Sequence, residues 1–227
     1  MITGYRGRFA PTPSGELHFG SLVAALASYL DARANNGTWL VRIDDVDTTR
    51  ARPEATENIL HCLASHGLHS DEPIYYQSHH YHTYTQALTG LINARQAFYC
   101  NCTRARLKTL DHVYDGHCIT TPPADTDNCA VRLLPDAPVL SLHDRLQGEQ
   151  RWQQPRSPNP VLKRRDRCFG YPLSMVLDDQ AQQITHVVRG LDLLSETAPQ
   201  LHLQQLLGLT TPSYAHIGTA VLADGKK

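Results

Sequence analysis

The stretch YRGRFAPTPSGELHFGSLVAALASYLDARANNGTWLVRI, residues 5–43, decides the fold. Its first residues alternate, with Tyr5, Gly7 and Phe9 on one side, as in a short strand. Pro11-Thr12-Pro13-Ser14-Gly15 then forces a loop. From about His18 to Ala34 the apolar residues Leu22, Val23, Leu26, Ala27 and Leu30 recur at helical spacing, and Asn35-Asn36-Gly37 is a stop signal. This predicts a helix buried along that stripe. Thr38 to Ile43 is β-branched and aromatic, too short for a helix, and follows a turn, so it reads as a second strand. A strand, loop, helix, strand unit closes as a right-handed parallel crossover, the building block of a nucleotide-binding sheet. The expected class is therefore α/β, with a Rossmann-like parallel sheet.

The same stretch carries chemistry. A helix that begins near His18 presents unpaired backbone N–H groups and the positive end of its dipole, a site suited to phosphates. Gly20 in the first turn lets a flat base or ribose approach the backbone, and its cost of roughly 1 kcal/mol against alanine calls for such a reason. His18 would sit beside those phosphates and donate a hydrogen bond to charge that builds on them during displacement.

Further along, residues 54–66 and 79–97 read as helices, whereas 99–165 is rich in Pro, Cys, Asp and Thr and reads as an insertion. After Asp166, YPLSMVLDD and ITHVVRG read as strands, and ETAPQLHLQQLLGL as a helix that Gly208 ends. The expected organisation is a first catalytic half over 1–98, the insertion over 99–165 and a second catalytic half over 166–227.

The chain has 227 residues and a net charge of −1, so it exerts no global pull on nucleic acid, and any RNA contact must be local. Lys163, Arg164, Arg165 and Arg167 form the best local candidate. The N-terminal residues lack the apolar core of a signal peptide and no run suits a membrane span, so no membrane role and a cytoplasmic location are expected. Three of the six cysteines lie between positions 100 and 118, which points to metal ligation rather than a disulfide framework. Three thiols suit a tetrahedral zinc whose fourth ligand, by spacing, is His112, His117 or a weaker oxygen.

Arg8-Phe9-Ala10-Pro11-Thr12-Pro13-Ser14-Gly15 followed by His18-Phe19-Gly20-Ser21 resembles the signature of glutamyl- and glutaminyl-type class I tRNA synthetases, RFAPSPSG and a His-Ile-Gly-His-like tetrad. In this sequence the fourth tetrad position is Ser21, which removes one imidazole. Arg42-Ile43-Asp44-Asp45-Val46-Asp47-Thr48-Thr49-Arg50 is similar to the family's RIEDLDxxR, with Asp44 where the family has glutamate. Phe169-Gly170-Tyr171-Pro172-Leu173 and Val188-Arg189-Gly190-Leu191-Asp192 resemble two later segments.

The resemblance implies that glutamate is held by Arg8, Phe9, Ala10, Pro11, Thr12, Asp44, Tyr171 and Arg189. Chemistry agrees, because an amino acid with two carboxylates needs two cationic partners, and each arginine can engage one with a planar fork. It also implies that His18, Gly20, Ser21 and Lys227 serve catalysis with ATP and Mg²⁺. Lys227 would be the first lysine of a mobile Lys-Met-Ser-Lys-Ser-like loop, and the sequence stops where that loop should begin, so weak or absent turnover is expected of this form. A CxC followed by YxxxC marks the short glutamyl-queuosine branch of the family, which implies zinc on Cys100, Cys102, Tyr114 and Cys118. The partners implied are L-glutamate, ATP and tRNA(Asp) carrying queuosine, and a monomer is expected. The alternative is the catalytic fragment of an ordinary glutamyl-tRNA synthetase. A small-molecule nucleotidyltransferase and a non-catalytic RNA-binding zinc module are the readings from other classes.

Overall fold

The computed structural model describes residues 4–110, 114–134, 139–152 and 159–220. Strand β1 (Arg6–Phe9) leads through the proline loop into helix α1 (Phe19–Ala34) and strand β2 (Thr38–Ile43), which pairs parallel to β1 from Arg6 opposite Thr38 to Phe9 opposite Val41. The crossover expected from residues 5–43 is thus present. The buried face of α1 is a different one, however. Ala25, Ser28 and Ala32 face the sheet, while Leu26 and Leu30 keep 45% and 54% of their surface exposed. Small side chains let the helix axis approach the strands closely, and Ser28 is satisfied there by donating to the Ala25 carbonyl and accepting from the Trp39 indole at 2.9 Å. Leucine spacing alone does not reveal which stripe of an apolar helix packs.

Helix α2 (Pro53–Ser65), strand β3 (Tyr75–Tyr76) and helix α3 (Tyr81–Asn93) follow. The helix expected over 79–97 is cut short because Arg95 takes a positive φ of 56°, and strand β4 (Ala97–Cys100) begins. Short helices α4 (Arg104–Lys108) and α5 (His117–Thr120) come next. Strands β5 (Ala130–Leu133), β6 (Leu140–Asp144), β7 (Gly148–Trp152) and β8 (Val161–Lys163) complete the region read as an insertion.

Tyr171–Ala181, expected as a strand, is helix α6. Gly170 caps it in an extended conformation and Pro172 occupies its first turn, where proline is tolerated. Its residues are buried on several sides, from Pro172 to Val176 and again at Asp178 and Asp179, so the sequence carries no amphipathic period to separate helix from strand. Strand β9 (His186–Gly190), helix α7 (Thr197–Leu207) and strand β10 (Ser213–Ile217) finish the described chain. Gly208 closes α7 in the left-handed conformation, as its position implied.

Among the described residues, five strands form a parallel sheet in the order β10-β9-β1-β2-β3. The chain builds outward from β1 through β2 and β3, then returns to lay β9 and β10 on the other side. The order therefore reverses between β1 and β9, and the crevice beyond their carboxyl ends is where such sheets bind ligands. Strands β4, β5 and β8 make an antiparallel sheet, whereas the β6–β7 hairpin packs Leu140, Leu142 and Trp152 against Ile184, Val187, Leu201 and Tyr214 of the parallel-sheet layer. Part of the insertion thus serves as cover for the nucleotide-type sheet. Among the described residues no helix is long and apolar enough to cross a membrane.

Candidate active site at the strand-order reversal

A cleft of about 1020 Å³ opens at the reversal point. Arg8, Phe9, Ala10, Pro11 and Thr12 line it from the end of β1; His18, Gly20 and Ser21 from the start of α1; Tyr171 from α6; and Arg189 from β9. His18 is the exposed N-cap of α1, and its Nδ1 lies 3.2 Å from Ser21 Oγ. Among the described residues a Cβ on Gly20 would meet only the Ala220 methyl, at 3.9 Å, so the described protein atoms leave room at the first turn of α1. The helix N-terminus is placed to meet an anion there.

Asp44 lines an adjacent cleft of about 1030 Å³, which shares Thr12, Arg50, Tyr171 and Leu193 with the first. Residues 221–227, including Lys227, lie outside the described residues.

Charge behind the cleft is arranged as a buried chain. Arg8 donates from Nε and Nη2 to the two oxygens of Asp179, at 3.1 and 3.3 Å. Arg42, fully buried, donates from Nη1 to Asp179 at 2.7 Å and from Nε to Asp44 at 2.9 Å. Burial works against ionised Asp179, but Arg8 and Arg42 outweigh it and hold the carboxyl below its usual range. Asp44 differs. Burial pushes it up to about 7 against the pull of Arg42, and its Oδ2 has no partner among the described residues. On the other side of the cleft, Arg189 donates from Nε to His216 Nε2 at 3.0 Å and from Nη2 to Thr197 Oγ1 at 2.9 Å.

Sequence reasoning found Arg8, His18, Tyr171 and Arg189 at the cleft and missed the groups behind them: Asp179, Arg42, Asp144 and His216. Asp178-Asp179 inside an otherwise apolar run was the one available signal, since a buried acid needs a cationic partner. The basic run at 163–167 is largely engaged within the protein. Arg164 pairs with Asp47 at 2.6 Å and with Asp166, Arg165 donates to the Cys102 carbonyl, and Lys163 lies over the Phe169 ring.

Cys100, Cys102 and Cys118 are buried together, with their sulfurs within 4.8 Å of one another. Cys102 and Cys118 Sγ are 3.5 Å apart, and the Tyr114 hydroxyl lies 3.8 Å from Cys100 Sγ and 3.7 Å from Cys102 Sγ. Bonds of about 2.3 Å to a tetrahedral zinc require edges of about 3.8 Å, so the three thiols could hold such an ion, with the Tyr114 hydroxyl beside two of them. Arg106 Nη1 stands 3.4 Å from Cys102 Sγ, whereas burial, followed by the contact with Cys118, pushes the Cys102 thiol up to about 11. His117 is not part of this cluster, and His112 lies outside the described residues.

Comparison with known proteins agrees with the fold. The family described as tRNA synthetases class I (E and Q), catalytic domain, matches residues 5–227. The glutamyl-Q tRNA(Asp) synthetase of Klebsiella pneumoniae (strain 342) is 46% identical over 224 residues, 98% of this chain and 76% of that protein. A glutamate tRNA ligase from Elizabethkingia meningosepticum, solved in complex with its amino acid, superposes with a TM-score of 0.84 at 26% identity, covering 94% of this chain and 49% of its own. The glutamate-tRNA synthetase of Elizabethkingia anophelis gives 0.88 at 25% identity, covering 99% of this chain and 52% of its own. The chain thus spans about half the length of these two solved proteins.

Proposed function

This chain belongs to the class I tRNA synthetase family for glutamate and glutamine, and we propose that it activates L-glutamate with ATP and transfers it to queuosine in the anticodon of tRNA(Asp). The observation that carries the reading is that Arg8 and Arg189, on adjacent strands β1 and β9, border one cleft whose floor is the open N-terminus of α1.

ATP lies with its phosphates against that N-terminus, beside His18. A glutamate α-carboxylate oxygen attacks the α-phosphorus in line. The bond from that phosphorus to the bridging oxygen breaks, and pyrophosphate leaves. Backbone dipoles and His18 stabilise the charge on the leaving group, and fixed geometry supplies much of the acceleration. Mg²⁺, when bound with the nucleotide, neutralises further phosphate charge. A queuosine hydroxyl then attacks the acyl carbon of the adenylate, and AMP leaves. Arg8 and Arg189 hold the two carboxylates, Tyr171 adds a hydrogen-bonding group, and Asp44 offers its carboxylate oxygen to the amino group from the neighbouring cleft. Cys100, Cys102, Cys118 and Tyr114 would hold a zinc ion, whose role there would be structural, tying together the segment between β4 and α5. The protein acts as a cytoplasmic monomer.

Labelled glutamate offered with tRNA(Asp), with and without queuosine, tests the reading. Label should enter only the queuosine-bearing tRNA and survive trimming of its 3′ end. Label on the 3′ end of glutamate tRNA would instead identify an ordinary glutamyl-tRNA synthetase, the activity named for the two solved neighbours.

A further inference from the structure

We propose that Asp144 and His216 form a positioning pair that sets, by hydrogen-bond polarity, which edge of the Arg189 guanidinium is left for the substrate carboxylate. The inference rests on the reading of Arg189 as a glutamate partner. Its starting point is that a guanidinium can only donate. Arg189 Nε points at His216 Nε2 across 3.0 Å, so that ring nitrogen must be the bare one. The imidazole proton is therefore on Nδ1, where it is donated to Asp144 Oδ2 at 2.5 Å. Asp144 Oδ1 is already occupied, accepting from the backbone N–H groups of Leu146, Gln147 and His216 at 3.0, 2.9 and 3.2 Å.

The other side of the guanidinium is fixed by Thr197, the first residue of α7. Its hydroxyl accepts from Arg189 Nη2 at 2.9 Å and lies 3.3 Å from His216 Nε2. Nε and Nη2 are thus both engaged by protein. Nη1 is buried and has no partner among the described residues, in a side chain that borders the cleft. A buried guanidinium nitrogen left unsatisfied is costly unless a ligand completes it. Asp144 and His216 are fully buried, with Tyr214 stacked on the imidazole, so water does not compete for the pair. Burial and the nearby Arg189 keep His216 below its ordinary pKa despite Asp144, in agreement with a neutral acceptor.

Asp144 is the last residue of β6, in the insertion hairpin, and His216 stands on β10. The hairpin that covers the sheet also reaches into amino-acid recognition.

Asp144→Asn separates polarity from shape. The carboxamide oxygen would stay on the three backbone N–H groups, and its NH₂ would face His216 Nδ1. The imidazole proton is then driven to Nε2, donor against donor with Arg189 Nε. Glutamate affinity, measured by calorimetry, should fall by about 10- to 100-fold, the range for a hydrogen bond to a charged group, while ATP affinity stays within about twofold. His216→Gln, whose amide can donate to Asp144 and accept from Arg189, should lose far less than Asp144→Asn does. In the wild-type protein, ¹⁵N shifts of the His216 ring should report a protonated Nδ1 and a bare Nε2; this holds as a test even if Asp144→Asn fails to fold. Unchanged glutamate affinity in Asp144→Asn, or a wild-type proton on Nε2, overturns the proposal. Arg189→Lys distinguishes the two levels. Should it leave glutamate affinity intact, the placement of glutamate on Arg189 fails and this inference with it; should it weaken glutamate while Asp144→Asn does not, only the positioning pair falls.

Discussion

Asp44 and Asp179 share Arg42 and are driven in opposite directions, and their pH signatures separate them. Burial, ahead of the opposing pull of Arg42, lifts folded Asp44 to about 7, well above its unfolded value. Its contribution to stability is present at low pH and is lost as pH rises from the ordinary carboxylate range through about 7. Asp44→Asn, which keeps an acceptor for Arg42 Nε without the charge, should therefore flatten the loss of thermal stability between pH 5 and pH 8; melting curves at the two pH values check this. Asp179 is depressed, so its contribution is full at neutral pH and is lost only as acid takes the pH down through its folded value. Asp179→Ala would leave Arg8 and Arg42 buried without their shared partner. A cost of about 3–5 kcal/mol in urea unfolding at pH 7 is expected. At this scale the sequence displayed groups that border the cleft, because Arg8, His18 and Arg189 sit in dense local motifs. It hid their partners, since Asp179 lies 171 positions from Arg8 and Asp144 lies 72 from His216, with no local pattern to announce either pairing.

Helices α3 and α6 show how identical residues carry opposite consequences. Gly170, the cap of α6, sits where a Cβ would come within 1.9 Å of the Val161 carbonyl oxygen on β8, a backbone atom that cannot yield without moving the strand. Gly170→Ala should destabilise by about 1–3 kcal/mol or more as an overpacked site. Gly90, exposed in the interior of α3, has no described residue within 4 Å of its Cβ position, so Gly90→Ala should stabilise by roughly 0.5–1 kcal/mol through helix propensity. Denaturant midpoints of the two variants should shift in opposite senses. The same contrast explains which elements could be read in advance. Helix α1 and strands β1 and β2 have bounded patterns, stop signals and ordinary lengths. Helix α6 is buried on more than one side and has lost the polar face by which a helix is recognised, so YPLSMVLDD reads as a buried strand.

The molecule as a whole joins a parallel sheet, legible from one crossover near the amino end, to an insertion whose packing was not. Composition marked 99–165 as loop-rich, but the docking of the β6–β7 hairpin onto the sheet depends on Leu140, Leu142 and Trp152 finding partners far along the chain. At its cysteine end, among the described residues, only Phe98, Leu107 and Tyr114 pack around Cys100, Cys102 and Cys118, a small core for which the proposed zinc would supply the missing hold. Removing zinc from the purified protein with a strong chelator should lower the melting temperature and abolish metal stoichiometry, and Cys118→Ser should reproduce the loss. The α1 N-terminus and the cleft proposed to bind the adenylate lie elsewhere and should still bind nucleotide. The central claim, that the reversal-point cleft holds an activated glutamate, is tested most directly by calorimetry with a non-hydrolysable analogue of glutamyl adenylate. The account predicts one-to-one binding at least about 100-fold tighter than ATP or glutamate alone, the gain expected when both halves are held in one site, and its loss in Arg189→Ala. Equal affinity for an adenylate analogue that carries no amino acid would contradict it.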